Sequence, residues 1–447
     1  LSKRTPNLHV PRLHVLLPSD VFPPGSVGGA AWSAHTLARA LIAQGHAVTA
    51  VAPEQGRSGE AMEDALGVPT LRWGYTAPRV PFVQNYFRHE RLWNPLADVL
   101  VACAQEASRD GGQPKRKTLI HAQHVQTVPA AIIAGRRLGA PVVATVRDHW
   151  PWDYFATGLH GNRIPYPRST WASLATDLPV RLGAWRGVLA LAAIPYIMAH
   201  LRRRAAFLAQ ADAVIAVSHY MAQRLATLVS AEKIHVIPNM VDIAAVERIA
   251  ATAPRTEIRE PFLLFAGKLE RNKGAGLLVD IFRAMREHSA QEELRLGGAQ
   301  TSITLLVAGD GAMQAELERE LLGLGVSARF LAWVDHDEVL RLMQRCTLLL
   351  FPSAWGEPLS RTPLEAGALG VPTLAMPTGG TPDIISDGVN GALAATPQQF
   401  AARLAALLAD PGERRRLGDN ARRIARERFA VDAVLPRVEQ LYASLIV

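Results

Sequence analysis

Short apolar runs alternate with helical stretches along most of this chain, and that alternation restricts the fold more than any other feature. The run Leu13–Leu17 ends in the turn-rich segment PSDVFPPGSVGG, and a helical pattern follows from Ala30 to Ala43. Gly45-His46 then leads into a second run, Ala47–Ala52. Strand, glycine loop, helix and strand make the opening βαβ unit of a doubly wound parallel sheet. Similar units recur at Leu119–His121 and Pro141–Val146, and two more short β-rich runs, Ala213–Val217 and Ile234–Ile237, follow a long irregular insert over 149–180.

A second series starts after Ala251–Pro261, whose two prolines and mixed charge mark a linker. Its strand candidates are Phe262–Ala266, Ile303–Ala308, Phe330–Leu331, Leu348–Phe351 and Thr373–Ala375. Asp410–Val447 reads as arginine-rich helices. Two consecutive α/β series predict two facing Rossmann-like domains, each a doubly wound parallel sheet, with a cleft between them. The boundaries expected are 1–245, carrying an insert at 149–204, then 246–425, then a C-terminal helix over 426–447 that packs back on the first domain. Open parallel sheets bind ligands beyond the carboxyl ends of their strands, so the useful residues belong just after the apolar runs.

The net charge of +8 admits nucleic acid, an anionic membrane surface or a phosphate-bearing substrate as partner. The basic residues form no long tail and match no nucleic-acid motif, which excludes nucleic acid. Cys103 and Cys346 lie far apart and read as buried free thiols, a usage that suits a reducing compartment. The first residues contain His, Pro and Arg and no signal-type apolar stretch. No run reaches the ~20 apolar residues of a spanning helix. The nearest, Gly187–Leu201, is interrupted by Pro195 and flanked by Arg181, Arg186 and Arg202 to Arg204. Two readings stand for it, an interfacial helix on an anionic membrane and a core helix with solvated arginines.

Two stretches carry chemistry. In GKLERNKG, Lys268 and Lys273 follow a strand, with glycines that let backbone amides approach, a pattern suited to a diphosphate and equally to solvated surface lysines. In FPSAWGEPLSRTPLEAGALGVPTLAMPTGG, Glu357 sits in a loop after a strand, and Glu365 lies in a helix starting near Pro363. A helix N-terminus presents N–H groups and a positive dipole to phosphate, while carboxylates accept sugar hydroxyls. No Asp-x-Asp stands in a suitable loop, so no metal is expected, and the lysines take the cation's part.

These segments, with Gly28-Gly29, GHAVTAVAP, ADAVIAVS, KIHVIPNMVD over 233–242 and VAGDG over 307–311, resemble glycosyltransferase family 4 in the family's own order over nearly the whole chain. The resemblance implies the GT-B fold. It also implies a retaining transferase that moves a sugar from a nucleotide-diphosphate sugar, UDP- or GDP-linked, without a cofactor. By it, the first domain takes the acceptor and the second the donor. Lys268 and Lys273 hold the diphosphate, with Gly309 in the same site, and Glu365 binds the ribose. Glu357 and the backbone of Pro358, Leu359, Ser360 and Arg361 meet the donor sugar. Gly28 and Gly29 approach the phosphate, and His124 stands near the transferred sugar while His121 packs at a strand end. His124, Glu357, Lys268 and Lys273 are therefore the expected catalytic set.

One departure is Arg147, which replaces the histidine of the family's T-x-H-D pattern while Asp148 is retained. Arg147-Asp148-His149-Trp150-Pro151 resembles a subgroup with R-D-x-W-P. Arg147, Asp148 and Trp150 are the expected acceptor region, Arg147 meeting an anionic acceptor or pairing with a carboxylate. The resemblance favours front-face attack, in which the leaving diphosphate takes the acceptor's proton. The aromatics of the insert (Trp150, Trp152, Tyr154, Phe155, Tyr166, Trp171 and Trp185) and its arginines suit a lipid-linked or cell-envelope glycan at an anionic membrane through 181–204. The enzyme is then expected in the cytoplasm, peripheral at the inner membrane face. A non-catalytic nucleotide-sugar binder or scaffold of the same fold is the alternative.

Overall fold

The computed structural model describes residues 11–446 apart from 25–27, 81, 110–115, 157–158, 161–163, 166–167, 259 and 297–302. The chain forms two compact units, one from residues 1–156, 168–240 and 431–447 and the other from 157–167 and 241–430.

In the first unit the strands are β1 (His14–Pro18), β2 (Ala47–Gln55), β3 (Glu60–Asp64), β4 (Pro69–Tyr75), β5 (Thr118–Ala122) and β6 (Val142–Val146). Next along the chain is a small antiparallel pair, β7 (Leu159–His160) with β8 (Ile164–Pro165), in the 157–167 stretch that belongs to the second unit. Then come β9 (Ala213–Ala216) and β10 (Ile234–Val236). Among the described residues the main sheet has the order β10-β9-β6-β5-β1-β2-β4-β3. It is parallel except for β3, which runs antiparallel to β4. Strands β1 and β6 are buried along their whole length, as expected for strands covered on both faces.

Helix Gly29–Ala43 returns the chain from β1 to β2, and its Ala34, Leu37, Ala38 and Leu41 share one face and enter the core. The final helix, Val431–Leu445, contributes Val434, Leu435, Val438, Leu441 and Tyr442 to the same core. Sequence reading missed β3 and β4. Strand β3 is an almost wholly exposed, acidic edge, and β4 shows half-buried residues on both faces, so neither carries a hydrophobic period.

The insert builds a satellite core of its own from Tyr154, Leu174, Leu178, Ile194, Ile197 and Leu201. Gly187–Leu201 is not one helix. A helix over Ala184–Ala190 and a 3₁₀ turn precede a second helix over Ile194–Leu208. Val188 and Leu189 face solvent, whereas Ile194, Ile197 and Leu201 are buried, so the second half of the segment is core and the first half is exposed. Arg204 departs from the expected solvated flank. It is 1% exposed, with its guanidinium 5.1 Å from the centre of the Trp150 ring.

The second unit holds β11 (Phe262–Ala266), β12 (Thr304–Ala308), β13 (Ala328–Phe330), β14 (Leu348–Phe351), β15 (Thr373–Ala375) and β16 (Ala392–Leu393). They form a parallel sheet in the order β13-β12-β11-β14-β15-β16. The expected linker is strapped down inside this unit. The backbone N–H groups of Arg255 and Thr256 donate to the buried Glu338 carboxylate at 3.1 and 2.9 Å. Cys103 and Cys346 are both buried thiols.

Candidate functional site

In the second unit the chemistry gathers after three neighbouring strands, β12, β11 and β14. Lys268 is exposed just beyond β11, and Lys273 is half-buried in the turn that follows. This turn and the loop after β12 each need a glycine. Gly274 has φ +76°, and an added Cβ would lie 1.8 Å from the Pro352 carbonyl oxygen. Gly309, after β12, has φ +151°, and a Cβ there would meet the Gly267 carbonyl oxygen at 2.0 Å. Both pack the loops closer than any side chain permits.

Glu357 lies beyond β14 and is 3% exposed. Its Oε1 accepts from Lys273 Nζ at 2.7 Å and from Ser353 Oγ at 2.8 Å. The Lys273 ammonium also stands 4.8 Å from the centre of the Trp355 ring. Pro358 and Leu359 are buried, and Ser360 is the N-cap of helix Arg361–Leu369, two residues earlier than sequence suggested. Glu365 on that helix accepts through Oε1 from His336 Nε2 at 2.9 Å and from Arg361 Nε and Nη2 at 3.1 and 2.9 Å. Burial would raise its pKa, but Arg361 and His336 outweigh burial and hold the carboxylate below its usual range. His336 is raised in turn, because Glu365 overcomes the effect of its own burial.

The two carboxylates thus share a design. Each is anchored through Oε1, and Oε2 makes no hydrogen bond among the described residues. A fixed anionic oxygen of this kind accepts well from a hydroxyl. Sequence reading missed Ser353, Trp355 and His336. Only His336 carried a local signal, standing right after the helix N-cap Asp335.

In the first unit the expected residues also follow adjacent strand ends. Gly28, the N-cap of helix Gly29–Ala43, is exposed, as is Gly29. His124, beyond β5, is buried with Nδ1 3.1 Å from Ser19 Oγ. Burial first, and then the Arg147 charge, push its pKa down to about 3, so the imidazole is neutral at pH 7. His121 is fully buried, with Nδ1 2.6 Å from Tyr442 Oη and Nε2 2.6 Å from Thr145 Oγ1, so it acts as a core brace. Arg147 donates from Nε to Asn239 Oδ1 at 3.0 Å and from Nη1 to the Gln123 carbonyl at 3.1 Å. These bonds hold the guanidinium against the loops beside His124. Asp148 accepts from the Trp150 backbone N–H at 2.9 Å, and burial raises its pKa to about 6. Of the insert's aromatics, Trp152 and Tyr154 are buried, while Trp171 and Trp185 are exposed. Tyr166 lies outside the described residues, as do Gly25 to Val27 of the first glycine loop.

Comparison with known proteins agrees with this division. The Glycosyltransferase Family 4 profile matches residues 27–245, and the Glycosyl transferases group 1 profile matches residues 251–424. A glycogen synthase of Mycobacterium tuberculosis is 25% identical over 450 residues, covering 97% of this chain and 95% of that protein. A D-inositol 3-phosphate glycosyltransferase of Xylanimonas cellulosilytica is 32% identical over 257 residues, covering 53% and 58% of the two chains. Among solved structures, sucrose-phosphate synthase of Thermosynechococcus elongatus superposes with a TM-score of 0.65 at 20% identity, covering 97% of this chain and 99% of that one. HepE of Anabaena in complex with UDP-glucose gives 0.62 at 18%, covering 97% and 100%. These structures share the GT-B fold with this protein. The chain belongs to glycosyltransferase group 1, family 4, and is a retaining glycosyltransferase that uses a nucleotide sugar.

Proposed function

We propose that the second unit holds a UDP-sugar and that the enzyme passes the sugar to a cell-envelope glycan or lipid-linked acceptor by front-face attack. The observation that carries this reading is the pair of carboxylates, each fixed through Oε1 with Oε2 left to accept. Glu357 Oε2 takes hydroxyls of the donor sugar, and Glu365 Oε2 takes those of the ribose. Lys273, held beside Glu357, and Lys268 neutralise the diphosphate, aided by the N-terminal turn of helix Arg361–Leu369. As the glycosidic bond breaks, negative charge grows on the leaving diphosphate. Fixed cations and amides stabilise it there without reorganising. The departing phosphate oxygen takes the acceptor's proton, so no protein base is needed on that face. His124, neutral and buried, serves as a hydrogen-bonding group toward the transferred sugar.

UDP is favoured over GDP because UDP-glucose is the ligand named for HepE. The acceptor differs among relatives, so none of theirs is transferred here. The Arg147 to Pro151 motif marks, on this reading, a subgroup of the family. Trp171, Val180, Trp185, Val188 and Leu189 are exposed on adjoining helices, with Arg181 and Arg186 nearby and Asp177 buried. That surface suits docking to an anionic membrane. Trp185→Ser with Leu189→Ser should then lower sedimentation with anionic vesicles, and unchanged sedimentation would remove the membrane from the proposal. The donor reading is tested by calorimetry with UDP, GDP and their sugars. Selective UDP-sugar binding lost in Lys273→Ala is expected, and no nucleotide binding to the folded protein would overturn it.

A further inference from the structure

A cavity of about 140 Å³ opens in the first unit, lined among others by Asp20, Tyr75, Asn85, Arg88, His89 and Trp150. It is smaller than the ~300 Å³ at the low end of drug-sized sites, which suits one ring or one end group of a ligand. Arg204 stands behind its lining residues. The guanidinium lies over Trp150 and within electrostatic reach of Asp20 and Tyr154, three residues that line the cavity. None of Nε, Nη1 and Nη2 of Arg204 has a hydrogen-bond partner, although the side chain is buried.

An unpaired buried guanidinium is costly, and native proteins keep such a group only where something else compensates it. Asp148, Asp153 and Asp20 lie within electrostatic reach of Arg204 and offset part of its charge without a hydrogen bond to it. Burial, and then Asp148, raise Asp20 to about 7, so it gives up much of its charge near neutrality, whereas Asp148, raised by burial to about 6, stays mostly ionised. His89 is neutral, since burial drives it down to about 2. His200, which also lines the cavity, is tied through Nδ1 to Glu90 at 2.6 Å. Arg88 adds an exposed positive charge at the mouth. The cavity therefore combines a guanidinium without hydrogen bonds beside it, an exposed Arg88 and several neutral hydrogen-bonding groups.

We infer that this cavity is the acceptor subsite and that it takes a hydroxyl-bearing acceptor with a phosphate or carboxylate group, countered by Arg204 and Arg88. Asn85, Tyr75, His89 and partly protonated Asp20 then read the acceptor's hydroxyls. Naming this site the acceptor's rests on the glycosyl-transfer reading above, whereas its preference for an anion does not.

The test is a ligand-observed NMR titration of the full chain with a neutral hexose, a hexose 6-phosphate, a hexuronate and a short-chain prenyl-diphosphate hexose. At least one charged probe should bind about tenfold tighter than the neutral hexose, and the one preferred identifies the bearer of the anion. Arg204→Met and Arg88→Ala should each erode that preference while UDP affinity stays unchanged. Arg204→Met should also raise the Tm of the unliganded protein, because an unpaired charge leaves the interior; a merely structural arginine would lower it. Equal binding of charged and neutral probes to the wild type would overturn the inference. So would a preference that survives both variants. If UDP fails to bind the wild type, the donor reading falls, and the anion preference is still decided by the same titrations.

Discussion

Each unit rests a cation on a tryptophan near the carboxyl ends of its strands, and the two pairs differ in what else the cation meets. Lys273 stands 4.8 Å from the Trp355 ring and donates to Glu357. Arg204 stands 5.1 Å from the Trp150 ring, and its nitrogens donate to nothing. The second unit closes its charges in pairs: Lys273 with Glu357, Arg361 and His336 with Glu365, and Arg255 and Arg341 with Glu338. The first leaves a guanidinium open and two carboxyls near it raised toward neutrality. Paired charges hold a site rigid before the ligand arrives, which suits a donor shared across a family. An open charge is a standing cost that a ligand removes, which suits the partner that varies.

The strongest way to break this contrast is to open a charge in the second unit. Lys273→Met leaves the Glu357 carboxylate buried without its cation. The expected loss of stability is ~3 kcal/mol, the low end for halving a buried pair, since the lysine side chain is 29% exposed. Transfer should fall by about 10²–10³-fold, as when one preorganised donor to a developing charge is removed. Chemical denaturation and initial rates read both. A stable variant with near-normal rates would mean that Lys273 neither anchors Glu357 nor meets the diphosphate.

The two halves of the contrast were unequally legible in the sequence. Lys268, Lys273, Glu357 and Glu365 stand in compact motifs, because a strand-to-helix turn fixes a site through residues adjacent in sequence. Gly274 and Gly309 were visible as glycines, and their necessity appears only where Pro352 and Gly267 approach them. Arg204 was not legible. It lies among three consecutive arginines, of which Arg202 and Arg203 are exposed and only Arg204 is turned inward. Helix phase decides that, and the phase depends on where a broken apolar run restarts at Ile194. His336 showed its place at a helix start but not its partner, since it meets Glu365 only across the fold.

A smaller effect should come from Glu338, whose carboxylate collects two backbone N–H groups and two arginines. Burial would raise its pKa, yet these bonds lower it from 4.5 to about 2. A carboxylate depressed in the folded state stabilises above its unfolded pKa. Its contribution is therefore complete above pH ~5 and fades as pH falls from there toward 2. Glu338→Gln should cost about 1–3 kcal/mol at pH 7 and little near pH 2. Urea melts across that window would show the two proteins converging, and a gap independent of pH would show that shape, not charge, holds the 251–261 segment.

Arg204→Met sharpens the contrast from the other side, with the opposite sign. Replacing a buried charge by an apolar side chain of similar volume is expected to stabilise by about 1–2 kcal/mol, within the range seen when buried ions are exchanged for hydrophobic residues. In a unit of this size that is a rise of a few degrees in Tm, at ~2–4 °C per kcal/mol. A lower Tm would mean that the first unit's charge is already balanced.

The smallest effect separates the two tryptophans. Trp355→Leu removes the ring beneath Lys273 and leaves the ion pair with Glu357 in place, so the loss should be ~0.5–1 kcal/mol, as for a partly exposed cation on a ring. In kinetics that is a rise of about two- to fivefold in KM for the donor, with kcat nearly unchanged, because the ammonium is still held by the carboxylate. Trp150→Leu should cost more in acceptor binding than Trp355→Leu costs in donor binding, since Arg204 has no carboxylate bond to keep it in position. Donor and acceptor KM values for the two variants, measured side by side, give the comparison directly. If the two losses are equal, the tryptophans are packing alone and the difference between the units resides wholly in the carboxylates.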